Sequence, residues 1–456
     1  MSAKTTKEIA EWVFRTKFED LGSEVVAYAK SLALSFLGMA VAGSTIPFGR
    51  IVIRYVKEYG CPGEAGVIGA GFRTLAEYAA LANGSLAHCT ELEDDSLPDG
   101  LYSVAAWPTV FALGEKLKLS GKEVIEGLVV GFEVASRLAI AGEKAMVKGW
   151  TTSPSSLTIG SAAMAAKMLK LNAEEIAWAL SIAASQAAGI GRQTGTGAHV
   201  VEAGFAGRDG ICSATLAKLG CTGNSTILEG GAGFMDLWAD QPDFDLPLGD
   251  GFRIMEVGVK KHSCCYLQQR NIDGLLELIA EHNISWDDVE SVEHGINHTV
   301  SLYLKYPQPE NAEQSRFSLE HSTVACFLDK KVFLSSFTDE KVHDPKFIEG
   351  RKKVKVTVHP EWEGGFFTFG SPVTVRLKDG REYTKLCFSA RGEPPNRLGT
   401  DEVMKKYLDS VEFAGTFSRE RTRKIAEMTL ALDKVKDVSE LMGRLTFPDK
   451  LKKRTG

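Results

Sequence analysis

Apolar residues recur at helical spacing through most of the first half of the chain. The pattern predicts helices over residues 23–42, 72–92, 104–119, 123–141, 157–171, 173–188 and 204–219. Residues that favour helix starts support this prediction. Asn172 is a suitable N-cap with two acids in the first turn after it, and Ser120 stands at capping-box spacing from Glu123. These helices are rich in Ala, Gly and Ser, and small side chains let helix axes approach closely. We therefore expect a compact helical bundle.

The pattern changes near residue 251. Apolar and polar residues then alternate in segments that predict strands over 252–259, 289–300 and 352–359, and a hairpin of 371–378 and 381–388 with an Asp-Gly turn. Helical spacing reappears over 271–282 and 318–327, and after residue 400 over 405–413 and 421–431. The second half is therefore predicted to mix α and β before it returns to helix.

This order predicts a mainly α protein, with a large all-helical domain and an inserted smaller α+β lid domain. The all-helical domain is predicted over residues 1–258 and the lid domain over residues 259–400. Residues 401–456 are predicted to form C-terminal helices that pack back on the first domain. Clefts between domains often bind ligands, so the boundary near residue 259 is a candidate position for a site.

Composition narrows the class of protein. The formal net charge of −6 argues against a general nucleic-acid binder, which needs a basic face for phosphates. The longest apolar run, residues 31–44, is too short to span a bilayer, and residues 1–19 carry charges instead of a secretory signal pattern. The eight cysteines are scattered without a C-x-x-C pair, which is typical of free thiols. We expect a cytoplasmic protein with no nucleic-acid or membrane partner.

Four acids fall within five residues at the end of the predicted helix 72–92, at positions 91, 93, 94 and 95. Extended as a helix, the segment would place residues 88, 91, 94 and 95 on one face. A helix end favours cations, so acids there need another reason. Crowded carboxyls that are short of water do not all ionise, and one that keeps its proton near neutrality can carry protons. The alternative is a solvated helix end before the turn at 96–100.

A glycine-rich loop at residues 189–197 is the next candidate. Its spacing does not match a dinucleotide-binding or phosphate-binding fingerprint. It contains Arg192, and His199, Glu202 and Arg208 follow it before or early in the next helix. The loop could therefore present backbone N–H groups and an imidazole to an anion, although a flexible connector explains it equally well.

Two further segments carry groups that suit a carboxylate ligand. Lys260, Lys261 and His262 stand at the predicted domain boundary, where they could bind carboxylates and stabilise developing charge. The alternative is a surface lysine pair beside two buried cysteines, and the spacing is too crowded for a zinc site. Thr151 and Thr152 belong to a hydroxyl-rich run before the helix predicted from residue 157, which indicates either a carboxylate seat or helix capping.

The remaining histidines fit structural roles better. His294 and His298 lie four residues apart on a predicted strand, where they share a face but are too far apart to bind one metal ion. His321 stands at the start of a predicted helix, a position that usually holds a satisfied packing residue.

These segments, in their order, resemble the MmgE/PrpD family. Residues 83–88 followed by the acids resemble its N-G-x-x-A-H-x-x-D-F-D-D block, and residues 149–162 resemble its G-W-H-x-T…G-S-A block. Residues 195–210 are similar to its glycine-led loop and R-D-G helix, 260–265 to K-x-Y-P-C-C, and 317–321 to F-S-L-P-Y. Residues 379–381 and 392–394 fit its C-terminal hairpin. The blocks cover nearly the whole chain, and their joint order is more specific than any one of them.

The resemblance implies a large all-helical domain, a smaller α+β lid domain and a homodimer, with no metal or organic cofactor. It also implies an active site between the domains and a small di- or tricarboxylate as substrate. The reactions of the family include dehydration, decarboxylation and epimerisation beside a carboxylate. All of them must stabilise the negative charge that develops on carbon, which cations in a dry cleft do well.

Several family positions differ in this chain. Glu91 stands where the first Asp of the acidic block is expected, and Leu101 and Thr151 stand where histidines are expected. His199 replaces a lysine of the glycine-led loop, Glu202 replaces a histidine, and His321 replaces the tyrosine of F-S-L-P-Y. Lys260 is retained. These departures predict a substrate or a geometry unlike that of the best-known members.

We expect a lyase in which Lys260 binds the substrate carboxylate and His199 is the general base or acid, because imidazole titrates near neutrality. The candidate catalytic residues are His199, Lys260, Glu91, Asp94 and His321. The candidate substrate-binding residues are Thr151, Thr152, Lys261, His262 and Arg192. In a dehydratase, His321 or His262 would protonate the departing hydroxyl.

Two alternatives remain at this point. An epimerase or isomerase on the same fold would need two bases on opposite faces of one carbon, which His199 with Lys260 or Glu91 could supply. A catalytically inactive binding protein would explain the altered histidine positions equally well.

Overall fold

The structure is a computed structural model that describes residues 2–59, 63–362 and 370–449. Helices dominate it, which confirms the mainly α prediction. Up to residue 247 the helices are Thr6–Arg15, Ser23–Gly43, Pro47–Lys57, Ala76–His88, Trp107–Leu117, Gly121–Ala141, Lys144–Val147, Thr152–Met168, Ala173–Ala184, Gly197–Lys218 and Phe234–Ala239. The later helices are Gln269–His282, His298–Ser301, Ala312–Ser315, Leu319–Leu328, Asp339–His343, Pro345–Arg351, Thr400–Ala414, Arg419–Leu430 and Ser439–Thr446.

The long apolar helix Ser23–Gly43 lies in the centre of the helical part. By length and composition it could cross a membrane, but 78% of its most apolar window is buried inside the protein, so it is a core helix, as predicted. Gly43 allows this packing, because a Cβ there would lie 1.7 Å from the carbonyl oxygen of Leu86 in the helix Ala76–His88. The close crossing fixes the helix that leads into the acidic block.

The C-terminal helices return to this bundle. In Thr400–Ala414, Tyr407 is fully buried against Gly38 of the central helix, where a Cβ would come within 3.0 Å of the tyrosine ring. Val438, Leu441 and Leu445 belong to the same apolar core as the first helices. The chain therefore leaves the helical part and comes back to it.

Residues between these helical segments form a four-stranded sheet with its own core. The strand order is Glu382–Cys387, Ser371–Leu377, Val289–Asn297 and Val354–His359, and only the last pair is parallel. Helices Gln269–His282 and Leu319–Leu328 contribute Leu275 and Val324 to an apolar cluster with sheet residues. The predicted hairpin is confirmed, whereas the lid role and the three domain boundaries remain predictions.

Three two-stranded pairs complete the described strands: Ser2–Ala3 with Leu246–Pro247, Ala65–Gly66 with Arg73–Thr74, and Asp94–Ser96 with Val257–Val259. The strand predicted over 252–259 is therefore wrong except for its last three residues, because residues 253–256 form a 3-10 turn. The strand predicted over 289–300 ends at Asn297, whose side chain caps a short helix by accepting from the N–H of Val300. His298 thus begins a helix instead of sharing a strand face with His294.

Two helices that contribute side chains to the cavity described below begin earlier than predicted. The helix predicted from residue 157 begins at Thr152, and the helix predicted from residue 204 begins at Gly197. Hydroxyls and glycines favour loops in isolation, but tertiary packing buries Thr152 and Ser153 at the first start and His199 in the first turn of the second. The seven described cysteines are free, in agreement with the sequence, and Cys61 lies outside the described residues.

Candidate active site

The helix Ala76–His88 delivers the acidic block to the site. It ends at His88, and Glu91 then adopts a left-handed backbone conformation with φ of 50°. Residues other than glycine rarely adopt this conformation, and it persists where the surroundings hold it, often at functional sites. Glu91, Glu93 and Asp94 are all buried. The helix predicted to residue 92 and the alternative of a solvated helix end are therefore both wrong.

Extended backbone divides the acids between two sides. Asp94–Ser96 pairs antiparallel with Val257–Val259, and successive side chains of such a segment point to opposite faces. Glu93 and Asp95 line a cavity, whereas Asp94 turns away and accepts hydrogen bonds from the N–H and hydroxyl of Ser103. The helical face predicted to hold Asp94 beside the other acids is wrong for this physical reason.

The same strand pairing brings Lys260 to the acids. The backbone N–H of Lys260 donates to the Glu93 carbonyl at 3.3 Å, and its ammonium lies 2.8 Å from Glu91 Oε1 and 2.5 Å from Glu93 Oε1. Lys260 is 2% exposed, so the surface alternative fails for it, and it lies behind the cavity wall formed by the two glutamates. Its contact with a substrate carboxylate remains a prediction, and this geometry favours an effect through Glu91.

Burial and the ammonium together set the charges of the two glutamates. Burial raises the pKa of Glu91, but Lys260, helped by His88 and His199, outweighs it and lowers the pKa to about 2. Burial and the neighbouring Glu91 charge raise the pKa of Glu93 to about 7, against the pull of Lys260. Two carboxyls that share one ammonium in a dry site cannot both ionise easily. Glu91 is therefore the ionised member, and Glu93 holds a proton up to near neutrality.

Two histidines complete this wall of the site. The rings of His88 and His199 meet edge to face with centroids 4.8 Å apart. His88 Nδ1 lies 3.3 Å from the carbonyl oxygen of Val200, and His199 Nδ1 lies 3.4 Å from Glu202 Oε2. Burial, with a smaller effect of His199, lowers the pKa of His88 to about 3 and keeps it neutral.

These groups face a cavity between the helical part and the α+β part. Its polar lining consists of His88, Glu91, Glu93, Asp95, Tyr102, Thr151, Thr152, Thr194 and His199. Its other lining residues are Leu97, Gly100, Met146, Trp150, Cys265, Tyr266, Leu267, Tyr303 and Phe317. Burial raises the pKa of Asp95 well above its usual range, so this carboxyl can hold a proton in the cavity.

The start of the helix Thr152–Met168 forms a second polar wall. Thr151 precedes the helix without capping it, and its buried hydroxyl has no hydrogen-bond partner among the described residues. The Thr152 hydroxyl instead donates to the Asp99 carbonyl at 2.6 Å and ties this wall to the loop after the acidic block. Since a helix start carries partial positive charge, Thr151 and the first turn can hold a carboxylate.

Besides Asp94 and Lys260, four predicted residues lie away from the cavity lining. Lys261 and His262 both pair with Asp273, at 3.0 Å and 2.9 Å, and Arg192 is exposed on its loop. His321 is enclosed in the α+β part, with Nε2 2.8 Å from the Ser336 carbonyl. Of the ten predicted site residues, Glu91, Thr151, Thr152 and His199 line the cavity.

Sequence reasoning assigned no role to several lining residues. His88 and Glu93 belong to the acidic block that was singled out, and only the change from helix to extended backbone shows that Glu93 faces the site. Phe317 belongs to the segment 317–321 that resembles F-S-L-P-Y, but no role was assigned to it. Tyr102 and Tyr303 gave no signal, because a lone aromatic residue is usually part of a core.

The geometry can be compared with known proteins. A family model described as the MmgE/PrpD N-terminal domain matches residues 7–247, and one described as the MmgE/PrpD C-terminal domain matches residues 262–434. The chain belongs to the MmgE/PrpD family. The resemblance inferred from the blocks is thereby confirmed.

Curated relatives match along the full length of this MmgE/PrpD chain. A cis-aconitate decarboxylase of Mus musculus is 26% identical over an alignment 464 residues long with its gaps. The alignment covers 98% of this chain and 94% of the relative. The cis-aconitate decarboxylases of Aspergillus terreus and Homo sapiens are 25% and 26% identical, each with 98% of this chain and 96% of the relative covered. The prediction of an MmgE/PrpD lyase is confirmed at the level of enzyme class.

The residues His88, Glu91 and His199 could also hold a metal ion, since their ligand atoms lie within 4.8 Å of one another. The Lys260 ammonium 2.8 Å from Glu91 opposes this, because it already balances the carboxylate and would repel a dication. We expect turnover of this MmgE/PrpD protein to survive dialysis against a chelator, measured as kcat beside the metal content of the sample. Loss of turnover that a divalent cation restores would contradict this expectation.

His321 was a candidate catalytic acid but lies outside the cavity, and a variant can test whether it takes part in turnover. Arg351 faces its Nδ1 at 3.4 Å, so Nε2–H donates to the Ser336 carbonyl, and replacing the ring removes this donor from a buried carbonyl. We expect His321→Gln to cost about 1–3 kcal/mol of stability in urea unfolding while kcat of the folded protein stays near normal. A large loss of kcat at unchanged stability would return His321 to the catalytic residues.

Proposed function

We propose that the protein is a lyase that removes CO2 or water from a small di- or tricarboxylate by breaking a bond beside a carboxylate. The observation that carries the proposal is the wall on which an ionised Glu91 meets the imidazoles of His88 and His199 at the edge of a cavity. The cis-aconitate decarboxylases among its relatives support decarboxylation as the first reaction to test.

In this proposal the substrate carboxylate is held at the helix start by the Thr151 hydroxyl and the first-turn N–H groups. The reacting carbon then faces the opposite wall, where Glu91 and His199 exchange a proton with it. Lys260 keeps Glu91 ionised, and Glu202 orients the His199 ring. The protonated Asp95 supplies a hydrogen-bond donor, and a proton for a departing hydroxyl if water leaves.

The proton balance differs between the two reactions. In decarboxylation the C–C bond to a carboxylate breaks, CO2 leaves, and the electron pair left on carbon takes a proton from an acid of this wall. In dehydration a base takes a proton from carbon and an acid gives one to the departing hydroxyl, so no net proton is consumed. Both reactions need a proton donor, dehydration also needs a base, and the groups that line this cavity include both kinds.

A panel of unsaturated and hydroxylated di- and tricarboxylates, followed by NMR in D2O, tests the proposal. We expect a product that lacks CO2 or water, with solvent deuterium on carbon after decarboxylation. Deuterium in recovered starting material without loss of CO2 or water would support an epimerase instead. No reaction with any member of the panel would support the inactive binding protein. The homodimer and the cytoplasmic location remain predictions.

A further inference from the structure

The charged side of the cavity has no cation free for a substrate. Among the described residues that line it, none is Lys or Arg, while three are carboxyls. The nearby ammonium of Lys260 is shared between Glu91 and Glu93 at 2.8 Å and 2.5 Å. A ligand with several negative charges would lose its hydration here without gaining an ion pair, which is costly in a buried site.

The neutral donors can hold a limited number of carboxylates. The helix start with the Thr151 hydroxyl can bind one carboxylate, and the protonated Asp95 can donate a hydrogen bond to a second. Neutral donors suffice for a few oxygen atoms but do not balance a third full charge. The polar surface therefore suits one or two carboxylates.

The rest of the cavity is mainly apolar, apart from the hydroxyls of Tyr266 and Tyr303. Leu267 and Phe317 belong to one buried cluster, against which Tyr303 packs, and all three line the cavity. The Phe317 ring lies 6.1 Å from the His199 ring, so this apolar face adjoins the reactive wall. Met146 and Trp150 line the cavity from the helical part. A substituent on the reacting carbon skeleton would therefore meet carbon and aromatic surface.

We propose that the substrate of this site is a dicarboxylate that carries an uncharged apolar arm against Leu267, Tyr303 and Phe317, an inference that rests on the proposed lyase function. Apolar burial of the arm stabilises the complex, since each buried methylene contributes about 0.8 kcal/mol. A carboxylate at the end of the same arm would lie among these side chains without a cation.

The test compares two substrates that differ only at the end of one arm. One is an unsaturated dicarboxylate with an alkyl arm, and the other is the tricarboxylate in which that arm ends in a carboxylate. We expect the wild-type protein to favour the alkyl substrate in kcat/KM by about tenfold or more. A tenfold preference for the tricarboxylate, or equal rates, would overturn this inference and leave the lyase proposal standing. No turnover of either substrate, together with none of any member of the panel, would overturn both proposals.

A variant pair reports on the apolar face itself. Leu267→Lys places a cation on this face, so we expect the ratio of kcat/KM to shift toward the tricarboxylate by about tenfold. Leu237→Lys, at a position 67% exposed on the helix Phe234–Ala239, is the matched control and should leave the ratio unchanged. An unchanged ratio in folded Leu267→Lys would contradict the assignment. If that variant fails to fold, the comparison of the two substrates on the wild-type protein still decides.

Discussion

Replacing Lys260 by methionine is expected to abolish turnover, with a fall in kcat/KM of about a thousandfold or more. The ammonium is 2% exposed and is shared between Glu91 and Glu93, so its removal leaves buried acids without a counter-charge. Glu91 then takes up a proton and ceases to be a base. Breaking such a buried pair also costs about 3–5 kcal/mol of folding stability, so the variant should unfold at lower urea concentration.

The double variant Lys260→Met with Glu91→Gln separates these two effects. It removes one buried charge of each sign, and neutral replacement of a buried ion pair is often tolerated. We expect urea unfolding to recover much of the lost stability while turnover stays absent. Near-normal kcat/KM in Lys260→Met would show that the ammonium neither holds Glu91 ionised nor binds the substrate.

Glu91→Gln is expected to lower kcat by about 10²–10⁴-fold, the range for loss of a general base. The amide can still accept from the Lys260 ammonium, and Glu93 then ionises to balance it, so the fold should persist. Glu93→Gln is the matched control, because it shares the same ammonium and the same cavity but replaces a group that already holds a proton near neutrality. Its kcat should stay within a few-fold of wild type. Equal losses of kcat in Glu91→Gln and Glu93→Gln would contradict the assignment of Glu91 as the base and of Glu93 as a protonated neighbour.

The pH dependence of KM is a second test of the charge states of Glu91 and Glu93. The pKa of Glu93 is raised to about 7, so its proton is present below that pH and lost above it. Ionisation adds a negative charge to the cavity wall, which repels an anionic substrate. We expect KM of the wild-type protein to rise above about pH 7 and Glu93→Gln to remove that rise. A KM that falls with pH in that range, or an unchanged rise in the variant, would contradict the assignment.

The fold was largely readable from the sequence because its elements depend on local pattern. The hairpin of Ser371–Leu377 and Glu382–Cys387 follows from alternation and an Asp-Gly turn, and Ala173–Ala184 from its Asn172 cap. Failures came where a local signal was misleading. Residues 89–92 continue a helical pattern, yet the chain turns at Glu91 and pairs as a strand with Val257–Val259. That pairing depends on residues more than 160 positions away.

The sequence by itself determined the family, the mainly α class and the segments that carry the chemistry, since residue order alone records periodicity and blocks of residue types. Only the tertiary structure decided which members of those segments act together. Lys260 and Glu91 are 169 positions apart along the chain, and their contact at 2.8 Å keeps Glu91 ionised. The charge of Glu91, together with burial, then leaves Glu93 protonated up to near neutrality. Charge state depends on burial and on the distance between groups, and both exist only once the chain has folded.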